Sequence, residues 1–132
     1  MNQNQNPMDD MPIISSYTRE QAIEDGILVD LTKWAKETGF VFPVACTAAV
    51  WGQYIEPPDN VKSCQDVRGR AHDLLSMFFH AIRRSGGGAD RLDFRVRLLQ
   101  QPGRHELVKF KSICGPGDAG EPVITIMMPD ED

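Results

Sequence analysis

The apolar residues in the middle of the chain recur with the period of an α-helix. Between Ser63 and Arg84 they fall within an arc of about 160° when each residue advances by about 100°, which predicts one long helix that faces a core. Ser63 and Asp66 have capping-box-like spacing at its start, and Gly86–Gly88 follow its end. The residues of the predicted buried arc are Val67, Ala71, Leu74, Leu75, Phe78, Phe79, Ala81 and Ile82.

After the glycines the repeat changes to the two-residue period of strands. Arg91–Leu99 alternates apolar and charged residues, and a return strand is predicted over Glu106–Cys114. Gln101–Arg104 between them fits a type II turn, with proline second and glycine third. Val123–Met128 is apolar almost throughout, which indicates a strand at the centre of a sheet or one covered on both faces.

Shorter patterns precede the long helix. Thr18 and Gln21 have the form of a capping box and predict a short helix. Ile27–Val29 is expected to be extended, and a second helix is predicted over Leu31–Thr38 with Asp30 as its cap. A third helix is predicted from Pro43 through Tyr54, because proline is favoured at the first helical position.

These patterns predict one α+β domain over residues 13–129. Short N-terminal helices and one long core helix should pack on a C-terminal three-stranded antiparallel sheet. Residues 1–12 are polar and rich in Asn and Gln, so we expect a disordered tail there, and residues 130–132 form an acidic tail. A chain of 132 residues is long enough for one hydrophobic core without disulfide or metal support.

The composition indicates the cellular compartment in which the protein is expected. No apolar run approaches the length of a membrane span, and the first residues lack the basic end and apolar centre of a signal peptide. The three cysteines, Cys46, Cys64 and Cys114, are odd in number and form no CxxC pair. We therefore expect free thiols, a cytoplasmic protein, no metal site and no cofactor.

Charge is segmented along the chain. Residues 1–62 hold 4 Lys/Arg and 9 Asp/Glu, residues 63–111 hold 10 and 5, and residues 112–132 hold 0 and 5. The basic middle could form one positive face for phosphate or an acidic partner, or acidic flanks could fold back over it. Phe94 and Phe110 point away from the cations, which disfavours base stacking on this sheet. The candidate binding residues are Arg83, Arg84, Arg91, Arg95, Arg97, Arg104, Lys109 and Lys111.

Two other patterns have chemical interest. His72, Ser76 and His80 recur along one side of the long helix, with Asp73 near them, and supply the ingredients of an activated nucleophile. The alternative is a solvated helix face without a special role. The glycine-rich stretch 115–121 resembles a phosphate-binding loop but has no lysine and is followed by a strand, so a structured turn is the better interpretation.

Five stretches of the sequence carry a family resemblance, namely Tyr17–Gly26, Phe42–Ala45, Ala49–Trp51, Cys114–Asp118 and Glu121–Pro129. Together they resemble an uncharacterised family of short bacterial proteins encoded on plasmids, phages and integrated mobile elements. The resemblance spans nearly the whole ordered chain and implies no activity or catalytic residue. Small proteins of such elements often act by binding host defence nucleases, CRISPR complexes or regulators.

We therefore predict a non-enzymatic binding protein of a mobile element that inhibits or modulates a host defence or nucleic-acid-handling complex, of the anti-CRISPR or antirestriction type. The expected partner is a host nuclease or effector complex, direct nucleic-acid binding is disfavoured, and no membrane is involved. One alternative is a small enzyme or a nucleotide- or phosphate-binding pocket that uses the basic strands or the histidine stripe. Another is a homo-oligomeric structural protein joined through the apolar last strand.

Overall fold

The computed structural model describes residues 17–131, and its helices and strands follow the α+β class expected from the sequence. The polar tail expected over residues 1–12 lies outside the described residues. Helices α1 to α4 span Arg19–Glu24, Thr32–Thr38, Ala48–Val50 and Val67–Ser85; α3 continues as a π-helical turn over Trp51–Ile55, and a 3-10 turn covers Asp59–Val61. Strands β1 to β5 span Leu28–Asp30, Val44–Thr47, Arg91–Gln101, Arg104–Pro116 and Pro122–Met127.

The strands form one five-stranded sheet in the order β1-β2-β5-β4-β3. β2 and β5 run parallel, and the other neighbouring pairs are antiparallel. The predicted hairpin is confirmed as β3 and β4, with Gly103 of the turn at a φ of 70°. The central position predicted for the last strand is also confirmed. The expected three-stranded antiparallel sheet is wrong, because β1 and β2 extend the sheet beyond β5 and make it mixed.

The N-terminal half supplies a strand where the sequence predicts the start of a helix. Val44–Thr47 is strand β2, and the predicted helix Pro43–Tyr54 forms only from Ala48 onward. The first three residues of β2 are at most 1% exposed, because the strand lies between β1 and β5 with Val44 opposite Ile124. Burial between two strands outweighs the helix-favouring sequence after Pro43, because tertiary packing often overrides intrinsic helix propensity.

The first short helix has the predicted N-cap, whereas the N-cap of α2 is Leu31 instead of Asp30. Thr18 Oγ1 accepts the N–H of Gln21 at 2.9 Å, and Gln21 Oε1 accepts the N–H of Thr18 at 2.8 Å, so the capping box of α1 is confirmed. At α2 the Asp30 carboxylate accepts the N–H of Thr32 at 3.0 Å. Gly39 ends α2 with a φ of 123°, a conformation that other residues rarely adopt. These local signals locate both helices correctly.

The long helix is confirmed as α4, but it begins later than predicted. Asp66 is the N-cap instead of Ser63, and its carboxylate accepts a backbone N–H of the first turn at 2.7 Å. The middle of the predicted arc is buried, while Val67, Phe79 and Ile82 are half-buried. Phe78 stacks on Phe94 of β3 with ring centroids 4.8 Å apart, which ties α4 to the hairpin.

A buried arginine joins α4 to the far end of β3. Arg70 is 1% exposed, and burial lowers the pKa of its guanidinium. It donates to the carbonyl oxygens of Tyr54 at 2.6 Å and Leu99 at 2.7 Å. It also donates to the side chains of Gln65 and Gln100. These acceptors hold the π-helical turn and the end of the hairpin against α4.

The sheet has a core face, on which α4 packs, and an outer face. On the outer face α1 lies against β1, and the Arg19 guanidinium donates to Thr125 Oγ1 and to the carbonyl of Ile124, both at 2.7 Å. Outward-facing Ala45 and Met127 are buried here at 1% and 7% exposure. We call β1, β2 and β5 the covered half of the sheet, and β3 and β4 the open half.

Candidate binding surface

The open half carries a row of cations on its outer face. Arg91, Arg95 and Arg97 alternate along β3, Lys109 lies on β4, and all four are exposed. The alternation arises because successive side chains of a strand point to opposite faces, so the even-numbered Leu92, Phe94 and Val96 face the core, and Asp93 shares the outer face with the arginines. We call these four residues the basic strand face.

Two of these cations lie directly opposite each other. Arg95 is the register partner of Lys109 across the hairpin, and like charges in this position destabilise a sheet. Arg91 has a neighbour of opposite charge, since its Nε lies 3.4 Å from the Asp93 carboxylate. Within residues 17–131, no carboxylate oxygen lies within 4.0 Å of the charged groups of Arg95, Arg97 or Lys109. This part of the chain therefore leaves three cations without an ion-pair partner.

Lys111 lies on the outer face, as its place in the two-residue repeat predicts, but it is not exposed as expected. Its side chain is 6% exposed, and its Nζ donates to the carbonyl of Glu131. The Glu131 carboxylate accepts hydrogen bonds from the Thr47 hydroxyl at 2.8 Å and from the N–H of Met128 at 2.7 Å. The folded-back C-terminal segment thus covers Lys111 and removes it from the binding surface.

Three further candidate residues lie away from the basic strand face. Arg83 and Arg84 are exposed in the last turn of α4, which packs on the opposite face of the sheet. The Arg83 guanidinium lies 5.9 Å from the centre of the Phe79 ring, a cation–π distance. Arg104 is exposed beside the turn between β3 and β4. The structure therefore does not gather the eight predicted residues on one surface.

An exposed leucine lies among the cations, and the sequence interpretation did not single it out. Leu107 is the register partner of Arg97 and is 56% exposed. The outward direction of Leu107 could have been predicted, because it falls in the same two-residue repeat as Lys109. Arginine is enriched at protein interfaces and the centres of interfaces are apolar, so Leu107 opposite Arg97 adds an apolar contact to the basic strand face.

The acidic loop between β4 and β5 serves the structure. The Asp118 carboxylate accepts the N–H groups of Arg19 at 2.8 Å and Glu20 at 3.1 Å, so it caps α1 from far along the chain. The Glu121 carboxylate fills the space beside Gly117, where an added Cβ would lie 2.6 Å from it. Both carboxylates are engaged by the loop or by the start of α1, and residues 118–120 form a turn, so the interpretation as a structured turn is confirmed.

The histidine stripe does not assemble into a nucleophilic site in the described chain. His72 Nε2 lies 3.4 Å from Ser76 Oγ, and His72 is exposed. Between residues 17 and 131, no hydrogen bond links Ser76 to His80 or links the His72 ring to a carboxylate. An activated serine needs a base that a third group holds in place, and the contact lacks that group.

A groove at the C-terminal end of α4 was also missed. It has a volume of about 620 Å³, and Phe42 and Val41 at its rim are 43% and 84% exposed. Asp90 is the only charged residue among its described lining, so it offers no cation to a phosphate. Four separate parts of the chain build the groove, so a search for local sequence patterns cannot find it. Its aromatic lining residues are Phe40, Phe42, Phe78 and Phe79.

Other chemical groups add no second site. Cys46, Cys64 and Cys114 are free thiols, and burial together with the charge of Glu131 raises the pKa of Cys46 to about 12. Across residues 17–131, no three side chains of His, Cys, Asp or Glu come together in a group that could hold a metal ion. The helices of this same range are too short or too polar to cross a bilayer.

Comparison with known proteins supplies a family and no activity. No curated protein sequence and no solved structure matches the chain. One family profile, described as a family of unknown function, DUF6573, matches residues 4–132. Because this match covers nearly the whole sequence, the chain belongs to the DUF6573 family.

Proposed function

We propose that this protein is a non-enzymatic binding protein of a mobile genetic element, and that it inhibits or modulates a host defence or nucleic-acid-handling complex in the cytoplasm. One observation carries the proposal. The basic strand face exposes Arg95, Arg97 and Lys109, and no carboxylate of residues 17–131 neutralises them. An acidic surface on a protein partner would supply the missing charge.

The chemistry of the face suits a protein carboxylate. Arginine binds carboxylates through two parallel hydrogen bonds, and this geometry gives specificity as well as attraction. Exposed ion pairs add little affinity, but complementary charge accelerates association and excludes partners of the same sign. Leu107 supplies an apolar contact among the charges. Together these features fit fast and selective capture of one acidic protein surface.

Nucleic acid fits the same face less well. Single-stranded binders stack bases on exposed aromatic rings beside their cations. Phe94 and Phe110, the aromatic residues of these strands, are 6% and 1% exposed on the core face. Phosphate contacts alone would give binding that depends on salt and not on sequence. A protein partner such as a host nuclease or effector complex is therefore the proposal.

The test is a pull-down from the host with two charge-reversed variants. R95E/R97E inverts the basic strand face, whereas R83E/R84E makes the same change of charge on the opposite side of the sheet. We expect wild type and R83E/R84E to retain a nuclease or effector complex, identified by mass spectrometry, and R95E/R97E to lose it. If only R83E/R84E loses the partner, the binding site lies at the C-terminal end of α4 instead. Turnover of a small substrate with no retained partner would refute a binding role.

The two alternatives have weaker support. The strand proposed to join copies of the chain, β5, is flanked by β2 and β4, so its backbone is already paired on both sides. A phosphate pocket would need enclosed cations, whereas the basic strand face is open. Light scattering on the purified protein tests the first alternative. Alanine at His72, Ser76 and His80 tests the histidine stripe, since any activity that survives the triple change does not use it.

A further inference from the structure

β3 lies at the end of the sheet order, so only one side of its backbone is paired within the described chain. The Cys114 N–H donates to the carbonyl of Asp90 at 2.7 Å. In an antiparallel ladder such pairs recur at every second residue, so the even-numbered residues of β3 direct their backbone groups toward β4. The residues that direct their N–H and C=O groups to the open edge are Arg91, Asp93, Arg95 and Arg97.

The open edge ends at a defined point. The carbonyl of Leu99 would continue the row, but the Arg70 guanidinium donates to it at 2.7 Å. The register with β4 also shifts between Leu99 and Gln101. The free edge is therefore Arg91–Arg97, which is long enough for a strand of ordinary length.

The same residues supply the edge hydrogen bonds and the cations. A residue of an added strand that pairs with Arg95 would carry its side chain on the outer face, with the Cβ atoms about 5 Å apart. Acidic residues at alternate positions would therefore face Arg95 and Arg97 in succession. The position opposite Asp93 would instead favour a basic or neutral residue.

We infer that the β3 edge captures an extended acidic segment of the partner protein by strand addition, with its acidic side chains over Arg95 and Arg97. This inference deepens the proposed function and rests on it. A second copy of the chain fits less well, because antiparallel pairing of two Arg91–Arg97 edges sets at least two arginines against each other. A nucleic acid has no backbone N–H and C=O groups to continue the sheet.

Hydrogen exchange of the full chain tests this geometry residue by residue. The probe, called the alternating peptide, is a synthetic peptide of about eight residues, a length that spans the free edge. Val occupies every second position, Gln occupies the position that faces Asp93, and Glu occupies the others. A permuted peptide with the same composition but contiguous glutamates is the control, and a single-stranded oligonucleotide is a third probe. We expect the alternating peptide to slow amide exchange at Arg91, Asp93, Arg95 and Arg97. The even-numbered amides already bond to β4 and should not change.

Three results would overturn the inference. The permuted peptide could bind as well as the alternating one, exchange at the four edge amides could stay unchanged on binding, or the oligonucleotide could bind best. Dimer formation in light scattering, with the same four amides protected in the absence of peptide, would assign the edge to a second copy.

A pair of variants separates the backbone contribution from charge. Asp93→Ala removes the side chain and keeps the edge N–H, whereas Asp93→Pro removes both and leaves the ladder to β4 intact. We expect Asp93→Ala to bind the alternating peptide at least as tightly as wild type, and Asp93→Pro to bind about tenfold more weakly than Asp93→Ala. Equal binding by the two variants would exclude strand addition. The exchange experiment on wild type decides the matter if Asp93→Pro does not fold.

The outcomes for the two proposals can be told apart in the host pull-down. If R95E/R97E loses the partner while Asp93→Pro retains it as well as Asp93→Ala does, the basic strand face acts through charge alone. The proposed function then stands, and strand addition fails. If R95E/R97E retains the partner, the basic strand face is not the binding site, and strand addition at its edge fails with it.

Discussion

The covered and open halves of the sheet use their charged residues in opposite ways. In the covered half the charges are engaged inside the molecule: Asp118 caps α1, Arg19 bonds to β5, and Glu131 bonds to Thr47. In the open half Arg95 and Lys109 face each other without a carboxylate from residues 17–131. The charges of the covered half are thus paired within the fold, whereas Arg95 and Lys109 repel each other in the absence of a partner, which is the feature on which the proposed function rests.

The largest expected effect comes from removing the core that supports the open half. Phe78 is 2% exposed and stacks between Phe40 and Phe94. Phe78→Ala should lower the free energy of unfolding by about 3–5 kcal/mol, because it leaves a cavity as well as losing apolar burial. Urea denaturation measures this. Met77→Ala, at a neighbouring position that is 38% exposed, is the control and should change stability by about 0.5 kcal/mol or less. Similar losses for the two variants would contradict the assigned core.

High pH should weaken the covered half through Cys46. Burial is the main cause that raises the pKa of this thiol from 9.0 to about 12, and the charge of Glu131 adds to it. The unfolded thiol ionises first, so its contribution to stability is fully present below pH 9.0 and declines as pH rises toward 12. The decline is about 1.4 kcal/mol per pH unit in this window. Urea unfolding between about pH 8 and 11 should show a shallower fall for Cys46→Ala. Equal slopes would exclude the thiol as the cause.

Removing one carboxylate from each half compares them directly. Asp118→Ala deletes the acceptor of two backbone N–H groups at the start of α1 and should lower the free energy of unfolding by about 1–2 kcal/mol. Asp93→Ala in the open half loses only an exposed ion pair with Arg91 and should change stability by about 0.5 kcal/mol or less. Thermal or urea denaturation distinguishes the two. Equal losses would remove the proposed difference between the halves.

The smallest effect is the most specific to the open half. Because Arg95 and Lys109 repel each other, replacing either with alanine should relieve about 0.2–0.5 kcal/mol of strain. A double-mutant cycle should give a repulsive coupling energy that shrinks as salt is added. An attractive coupling, or one that does not respond to salt, would mean that the two cations do not interact as their register implies.

Elements specified by neighbouring residues could be predicted from the sequence. The capping box at Thr18 and Gln21, the end of α2 at Gly39 and the turn at Gly103 depend on short-range chemistry, and the structure has them where expected. The hairpin and α4 follow from their hydrophobic repeats. The basic strand face follows from the same repeat in β3, because alternation fixes which side chains point outward.

The elements that could not be predicted depend on contacts between distant residues. β2 is a strand because it pairs with β1 and β5 on either side, and the residues next to Val44 in the sequence do not reveal the pairing with β5. Lys111 is buried because the segment ending at Glu131 returns to it, and Asp118 is a helix cap for a helix at the other end of the described chain. The burial of Arg70 could not be predicted from the sequence, because its acceptors are backbone carbonyls and glutamine side chains instead of a carboxylate.

The central place of β5 has a consequence for the order in which the protein can fold. Val44 pairs with Ile124, 80 positions later, and closing so long a loop opposes folding through lost chain entropy. Sheets that depend on such distant pairings fold slowly. Until Pro122–Met127 emerges from the ribosome, the β1–β2 pair and the β3–β4 hairpin have no strand to join them. The last segment synthesised among these strands therefore completes the sheet, and a nascent chain should acquire the folded basic strand face only after that segment is released.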